Sequence, residues 1–583
     1  MGRWILNLGG ADGAHHRATV ARAGPAPGPS CGEGATVRWF AAAVERRRVG
    51  VNLGAGADVD SAANRRGALV DQGRTESTPR YTATIVGLAL LSLGVHVAVN
   101  ALGGYGWFRD ELYYIACSKH LAAGYVDQPP LSIFLMAATR LLLGDSVFAI
   151  RLVPALASGL STAVLCLLVR RMGGGRAAMV LASLCFLSSP HLVAFHTFFS
   201  MNSLDILFWL LAAYALLGVM ERGTLAAWVW VGLVLGGGML NKISILWLGA
   251  GIAAAVLLTG LRGQLRRAGP YTAGLLAFLI FLPFVIWNVR HGFPHLEFMR
   301  NATAEKYSSL TRLRFLGDQF RNMNPFTFLV SLPGLAWCLL DREGKRFRAL
   351  GVAFLTVFAI LLANAHTKSE YIAAAYPPLF ACGGVALERV TRRWRRVVVP
   401  AITGLLALTA VALAPFAMPV LPVGSFIRYA RALGAVPSSL EHQKMGELDQ
   451  LFADMHGWED LSRDVSAAYL TIPEGERKTT VAFVNNYGEA GALELFARSY
   501  PLPRVICNHN SYWLWGVGAT PITTFIRLGG KREEYFESYA DVTPAGVHRC
   551  RYSMPYESDL GIFIARKRLV PIEKAWPGYK HFQ

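Results

Sequence analysis

The sequence predicts an α-helical protein that crosses a membrane about eleven times and ends in a small extracytoplasmic α/β domain. Three observations lead there. From Tyr81 to Pro415 apolar runs alternate with short polar loops, and most runs are long enough for a helix to traverse a hydrocarbon core of roughly 30 Å. Of the 583 residues 53% are hydrophobic, and mean hydropathy is +0.35 even with the polar ends included. Basic residues gather at every second boundary between runs, and that alternation fixes an orientation.

The expected spans are 81–101, 147–169, 176–195, 203–220, 225–241, 244–261, 271–289, 325–340, 349–364, 371–388 and 397–415. Arg170, Arg171 and Arg176 follow the second run; Arg262, Arg266 and Arg267 the sixth; Arg342, Lys345, Arg346 and Arg348 the eighth; Arg389, Arg392, Arg393, Arg395 and Arg396 the tenth. Placing these loops in the cytoplasm puts the amino terminus inside and everything after Pro415 outside. The run 130–143 is short and closes at Gly144-Asp145, which fits a helix lying along the outer face. Counted as a crossing, it would invert every later loop.

A net charge of +19 raises nucleic acid as a partner, but the excess sits in the cytoplasmic loops and the first 80 residues. It serves topology, so nucleic acid is excluded as a partner and membrane lipids are implied. Arginine outnumbers lysine and alanine and glycine abound, which points to a GC-rich bacterial genome and hence to a bacterial plasma membrane. Residues 1–80 lack a sustained apolar run and a signal-type core, so they are expected to be a disordered extension, read either as a basic tail or as an overextended start. The chain thus divides into 1–80, 81–415 and 416–583.

In the last division, Val481 to Val484 reads as a buried strand and Asn485 to Gly491 as a turn into a helix through Ala497. The spacing of Gly488 and Gly491 is too incomplete for a dinucleotide fingerprint. Asn508 to Trp515 clusters polar and aromatic side chains, which suits a sugar-binding surface or a seat on the membrane. The eight cysteines show no zinc spacing; only Cys507 and Cys550 share the tail, leaving a disulfide or two thiols open.

Charge is costly near lipid, so acidic side chains beside a span mark candidate chemistry. Asp110 and Glu111 come directly after the first span, and Asp127 precedes Gln128-Pro129-Pro130, where the prolines fix an extended backbone. Asp205 lies at the outer end of the fourth span, and Lys242 follows the glycine-rich end of the fifth. A solvated loop, a helix cap and a snorkelling lysine are the plainer accounts of these positions. Arg290 to Asn324, with Arg300, is long enough to be a lid or substrate clamp, and His366 to Tyr371 adds Lys368 and Tyr371 at the same face.

Together, Asp110-Glu111 with Tyr113-Tyr114, Gly124 to Pro130, Asn202 to Asp205 and the stretch from Lys368 to Pro378 resemble the GT-C glycosyltransferases of family 39, the protein O-mannosyltransferases and the lipid A aminoarabinose transferases. The resemblance covers roughly 81–415 and implies a GT-C-like fold. It also implies a polyprenyl-phosphate sugar donor and an extracytoplasmic acceptor that is a lipid, a glycan or a protein. Asp110 and Asp205 match the family's first- and second-loop aspartates; Lys242, Lys368 and Tyr371 resemble its phosphate-binding groups. Where the aminoarabinose enzymes have Glu-Lys-Pro, this chain has Asp127-Gln128-Pro129, so a cation is lost there. Asp127 is then either positional or a partner in holding a divalent metal; no cofactor is certain, and the sequence assigns no metal ligands.

On this reading Asp110, Glu111, Asp127 and Asp205 are the catalytic candidates, with Asp110 the general base of an inverting displacement. Lys242, Arg300, Lys368 and Tyr371 would bind the donor phosphate, whose charge grows as it leaves. The alternative is a polytopic transporter or lipid flippase. That reading expects repeated halves and polar groups near the midplane, whereas here no repeat is visible and the acids gather at one face.

Overall fold

The computed structural model describes residues 78–306, 310–364, 368–437, 441 and 443–583. The expected 1–80 extension lies outside them, except for Thr78 to Arg80, which open the first helix. The helices of eight residues or more are α1 (Thr78–Leu102), α2 (Arg109–Lys119), α3 (Leu131–Leu143), α4 (Val147–Arg171), α5 (Arg176–Ser188), α6 (Met201–Arg222), α7 (Leu225–Asn241), α8 (Ile245–Leu258) and α9 (Gly269–Arg290). They continue as α10 (Pro294–Asn301), α11 (Arg312–Met323), α12 (Phe328–Leu340), α13 (Arg348–Ala363), α14 (Tyr376–Val390), α15 (Arg395–Ala417), α16 (Val423–Ala432), α17 (Trp458–Leu470) and α18 (Tyr487–Phe496).

Among the described residues six helices are long and apolar enough to cross a membrane, and eight if each of two bent pairs is one span. The difference from eleven has local causes. Ser189 interrupts the run after α5, α8 meets a 3₁₀ segment at 96°, and α11 meets the segment containing α12 at 92°. α1 and α15 bury only 17% and 11% of their apolar windows against the protein, so most of their surface is available to lipid. α3, at 13 residues, is roughly 20 Å long and too short to cross.

Small residues set the tightest contacts between spans. A Cβ on Gly232 of α7 would stand 2.7 Å from the Ala273 carbonyl of α9, so only glycine lets the backbones approach that closely.

After α15 the chain builds a five-stranded mixed sheet from β1 (Thr480–Val484), β2 (Arg504–Cys507), β3 (Thr524–Leu528), β4 (Tyr539–His548) and β5 (Leu560–Arg568), in the order β2-β1-β3-β5-β4. β1 runs parallel to β2 and β3, and β5 antiparallel to β3 and β4. Alternation along β1 sends Val481 and Phe483 to one face, with Phe525 and Trp576, and Ala482 and Val484 to the other. That second face shares its core with Leu112, Tyr113, Ile115 and Cys117 of α2. The sheet segment and the first outer loop are therefore one packing unit.

Candidate active site

The DE pair opens α2, where carboxylates favour the positive end of the helix. The two have different fates. Glu111 is fully buried and accepts four hydrogen bonds: from Arg151 Nε (2.9 Å) and Nη2 (2.8 Å), and from the backbone N–H groups of Phe108 (2.9 Å) and Phe199 (2.8 Å). It ties α2 to α4 and to the approach of α6. Asp110 is part-exposed, and its Oδ1 accepts from the Tyr487 hydroxyl at 3.0 Å.

Asp127 is held in a parallel way. Its Oδ1 accepts from the Tyr113 hydroxyl at 3.0 Å, and the Tyr113 and Tyr487 rings lie 4.7 Å apart. The two phenols thus pack together, each donating to one carboxylate. The turn before Asp127 is pinned from outside: Val126 N–H donates to Ser511 Oγ (3.2 Å), and His295 Nδ1–H of α10 donates to the Val126 carbonyl (3.0 Å). Ser511 N–H in turn donates to the Tyr113 hydroxyl at 3.1 Å.

Tyr487 begins α18, whose N-cap Asn486 accepts from the N–H groups of Gly488 and Glu489. α18 lies directly on α2. A Cβ on Gly491 would be 2.7 Å from the Leu112 carbonyl, and one on Gly488 would be 2.6 Å from Arg109 Cγ. The spacing of these glycines is thereby explained as a close helix approach. Burial pushes the Tyr487 phenol well above its ordinary range, against the pull of Arg109, so its hydroxyl is a permanent donor.

Around Arg109 lies a buried ionic group that the sequence did not disclose. Arg109 donates to the Tyr556 hydroxyl and pairs with Asp454 at 3.8 Å. Burial works against its charge, but Asp454, Tyr487 and Tyr556 outweigh it and hold the guanidinium more basic than usual. Burial pushes Asp454 up to about 6, with Glu441 and Asp110 adding to the effect and Arg109 opposing it.

A second cluster holds Asp205 and Lys242. Asp205 is buried, accepts from Trp209 Nε1 (3.1 Å) and Ser244 Oγ (2.9 Å), and lies 3.6 Å from Lys242 Nζ. Lys242 donates to Asn202 Oδ1 at 2.7 Å and stands 5.4 Å from the centre of the Tyr371 ring. One turn before Tyr371, Lys368 pairs with Glu441 at 3.2 Å. A chain of bonds joins this cluster to the first loop. Met201 N–H donates to the Tyr114 hydroxyl (3.3 Å), Asn241 Nδ2 to the Met201 carbonyl (2.8 Å), and Ser132 Oγ to Asn241 Oδ1 (2.6 Å). Asp110, Asp127, Asp205, Lys242, Lys368 and Tyr371 therefore belong to one connected region. Arg300 does not join it: it is exposed on α10, with no ion pair among the described residues.

One expectation for the tail changes and one open alternative is resolved. Ser511 and Tyr512 are buried against the first loop, and His509 and Asn510 are buried with bonds to Gln583, so this segment is neither an open sugar-binding surface nor a membrane seat. Its tryptophans pack within the protein: Trp513 and Trp576 exchange Nε1–H bonds with each other's carbonyls, and Trp515 stacks on His120. Cys507 and Cys550 are free thiols, the first buried on β2 and the second against Gly457. Among the described residues no three His, Cys, Asp or Glu side chains form a metal-ligand set, and no step below passes through a metal.

Residues 127–287 match the family model described as dolichyl-phosphate-mannose-protein mannosyltransferase, a stretch that contains Asp127, Asp205 and Lys242 but not Asp110. The chain is 24% identical over 395 residues to undecaprenyl phosphate-α-4-amino-4-deoxy-L-arabinose arabinosyl transferase 1 of Pseudomonas fluorescens, covering 60% of this chain and 70% of that one. It is also 24% identical over 269 residues to the lipid A galacturonosyltransferase RgtD of Rhizobium johnstonii, covering 46% of this chain and 56% of that one. The fold resembles the crystal structure of ArnT from Cupriavidus metallidurans bound to undecaprenyl phosphate, with a TM-score of 0.54 at 16% identity over 84% of this chain and 98% of that one.

Proposed function

We infer that this chain, a membrane glycosyltransferase of the GT-C type akin to the aminoarabinose transferases and protein O-mannosyltransferases, takes its sugar from a polyprenyl phosphate and passes it to an extracytoplasmic acceptor. Asp110 is the general base. Its carboxylate removes the acceptor hydroxyl proton as the oxygen bonds to the anomeric carbon and the bond from that carbon to the phosphate oxygen breaks, so the centre inverts. The polyprenyl phosphate departs with the bonding electrons. Lys242, beside the Tyr371 ring, and Lys368, three residues before Tyr371, meet the charge that develops on it, while Arg300, on the helix that braces the Asp127 turn, stands apart from them as a further candidate. Asp127 and Asp205 position the loop and the lysine, and Glu111 anchors α2.

This reading places the active face and the segment after Pro415 outside a bacterial inner membrane crossed eleven times. One observation carries it. Of two adjacent carboxylates, Glu111 has every lone pair engaged, while Asp110 Oδ2 accepts no hydrogen bond among the described residues and is left to take a proton.

Deleting the gene in its host and comparing envelope glycolipids, glycans and glycoproteins by mass spectrometry is expected to reveal one lost sugar. Membranes of that strain then hold unreacted donor and acceptor together, so purified enzyme added to them gives an initial rate. Asp110→Asn is expected to lower it about 10²-fold with donor engagement kept. Lys242→Ala and Lys368→Ala are expected to raise the membrane concentration needed for half the maximal rate. An Asp110→Asn protein that inserts and transfers at the wild-type rate moves the base to Asp127 or Asp205.

A further inference from the structure

Tyr487 stands 200 residues beyond the end of the region that matches the mannosyltransferase family, at residue 287, and on a different part of the chain from every candidate named by sequence. Yet it supplies a side-chain hydrogen bond to the proposed base. Resting on the assignment of Asp110, we propose that Tyr487 is a positioning residue for catalysis: its hydroxyl holds Asp110 Oδ1 so that Oδ2 takes the acceptor's proton.

Four features of the site support this. The Tyr487 side chain is buried, 6% exposed, but its oxygen reaches Asp110 at 3.0 Å. Its ring is fixed from two sides, by Tyr113 at 4.7 Å and by His509 at 4.8 Å, with the Arg109 guanidinium 5.4 Å from its centre. The helix that carries it is seated without slack, because Gly491 and Gly488 leave no room for a Cβ between α18 and α2. The same arrangement is repeated beside it, where Tyr113 donates to Asp127, so the pair of phenols fixes the relative placement of both carboxylates.

The chemistry requires such a device. A carboxylate on a part-exposed first turn rotates between staggered positions, and only some of them present an oxygen to the incoming hydroxyl. A donor that never loses its own proton selects one position and stays out of the reaction. The transferred proton goes to Asp110, and the Tyr487 O–H bond does not break. The C-terminal segment is by this account part of the catalytic machinery.

The test uses the full-length enzyme with deletion-strain membranes as the source of donor and acceptor. Tyr487→Phe keeps the ring and its stacking and removes the hydroxyl. The saturated rate is expected to fall about tenfold or more, with the half-saturating membrane concentration unchanged. The decisive comparison is the Asp110→Asn background, where no base remains to be positioned: there Tyr487→Phe is expected to change the residual rate by less than about twofold. If Tyr487→Phe turns over like wild type, or if its loss repeats in full on the Asp110→Asn background, the positioning role is overturned while the base assignment stands. If Asp110→Asn itself retains turnover, the base assignment fails first and this inference with it.

Discussion

Glu111 and Arg151 form a bidentate ion pair sealed from solvent, with Nε to Oε1 at 2.9 Å and Nη2 to Oε2 at 2.8 Å. Arg151 also donates to the Gly106 carbonyl at 2.8 Å, so the pair fixes both sides of the entry to α2. Removing one partner of such a pair leaves an uncompensated buried charge and costs about 3–5 kcal/mol. Arg151→Ala is therefore expected to lower the melting temperature in detergent sharply. Glu111→Gln, which keeps shape and some hydrogen bonds, is expected to give an intermediate loss of both stability and rate. An Arg151→Ala enzyme with wild-type melting would show that the pair is not a scaffold.

Gly491 yields a prediction whose sign is unusual. In the interior of a helix, replacing glycine by alanine stabilises by roughly 0.5–1 kcal/mol. At Gly491 the new Cβ would meet the Leu112 carbonyl at 2.7 Å, so Gly491→Ala is expected to destabilise and to slow transfer by pushing α18 off α2. Gly94→Ala, in α1 with nothing within 4 Å of its Cβ, is the control, expected to be neutral or stabilising. Thermal unfolding of the two variants side by side decides it.

Asp454 sets a pH dependence. Its folded pKa, pushed up by burial to about 6, lies above the unfolded value near 3.8, so between these limits the folded state holds a proton that the unfolded state has released. Stability contributed by the protonated group is thus present below about 4 and lost as pH rises through about 6. The melting temperature of wild type minus that of Asp454→Asn is expected to fall from pH 4 to pH 7. A difference that is flat or rises over that window would exclude the assignment.

The alternating basic loops predict topology. A reporter fused after Pro422 is expected to be active only in the exported compartment, and one fused at Gly263 only in the cytoplasm. The opposite pattern would place Asp110 on the wrong side for a polyprenyl-linked donor used outside.

What could be read from sequence was whatever is written locally. Hydropathy located α7 at the span read as 225–241, because Thr224 caps one end and Lys242 closes the other. An apolar run located β1, but the helix after it begins at Tyr487, inside the stretch 485–491 read as a turn, because Asn486 caps it there. Helix length was less legible, since Ser189 and the bends after α8 and α11 shorten runs whose composition alone looks continuous. Acidic and basic candidates could be listed, but their partners could not. Arg151 lies 40 residues from Glu111 and Tyr487 lies 377 from Asp110, and no local pattern encodes such pairings. Gly488 and Gly491 were the one signal that pointed there, since two glycines a helical turn apart mark a close approach of another backbone.

The packing of α18 on α2 also sets the order of events during biosynthesis. The Asp110 loop is made early, but the helix that completes its surroundings is 377 residues behind it. At translation speeds of roughly 5–20 residues per second, about 20–75 s pass before the second half of the site exists. During that interval Lys242 and then Lys368 are added to the first-loop carboxylates, and the phenol that donates to Asp110 comes last. The Asp110 carboxylate thus gains its tyrosine partner only once the sheet segment has packed back onto the first loop.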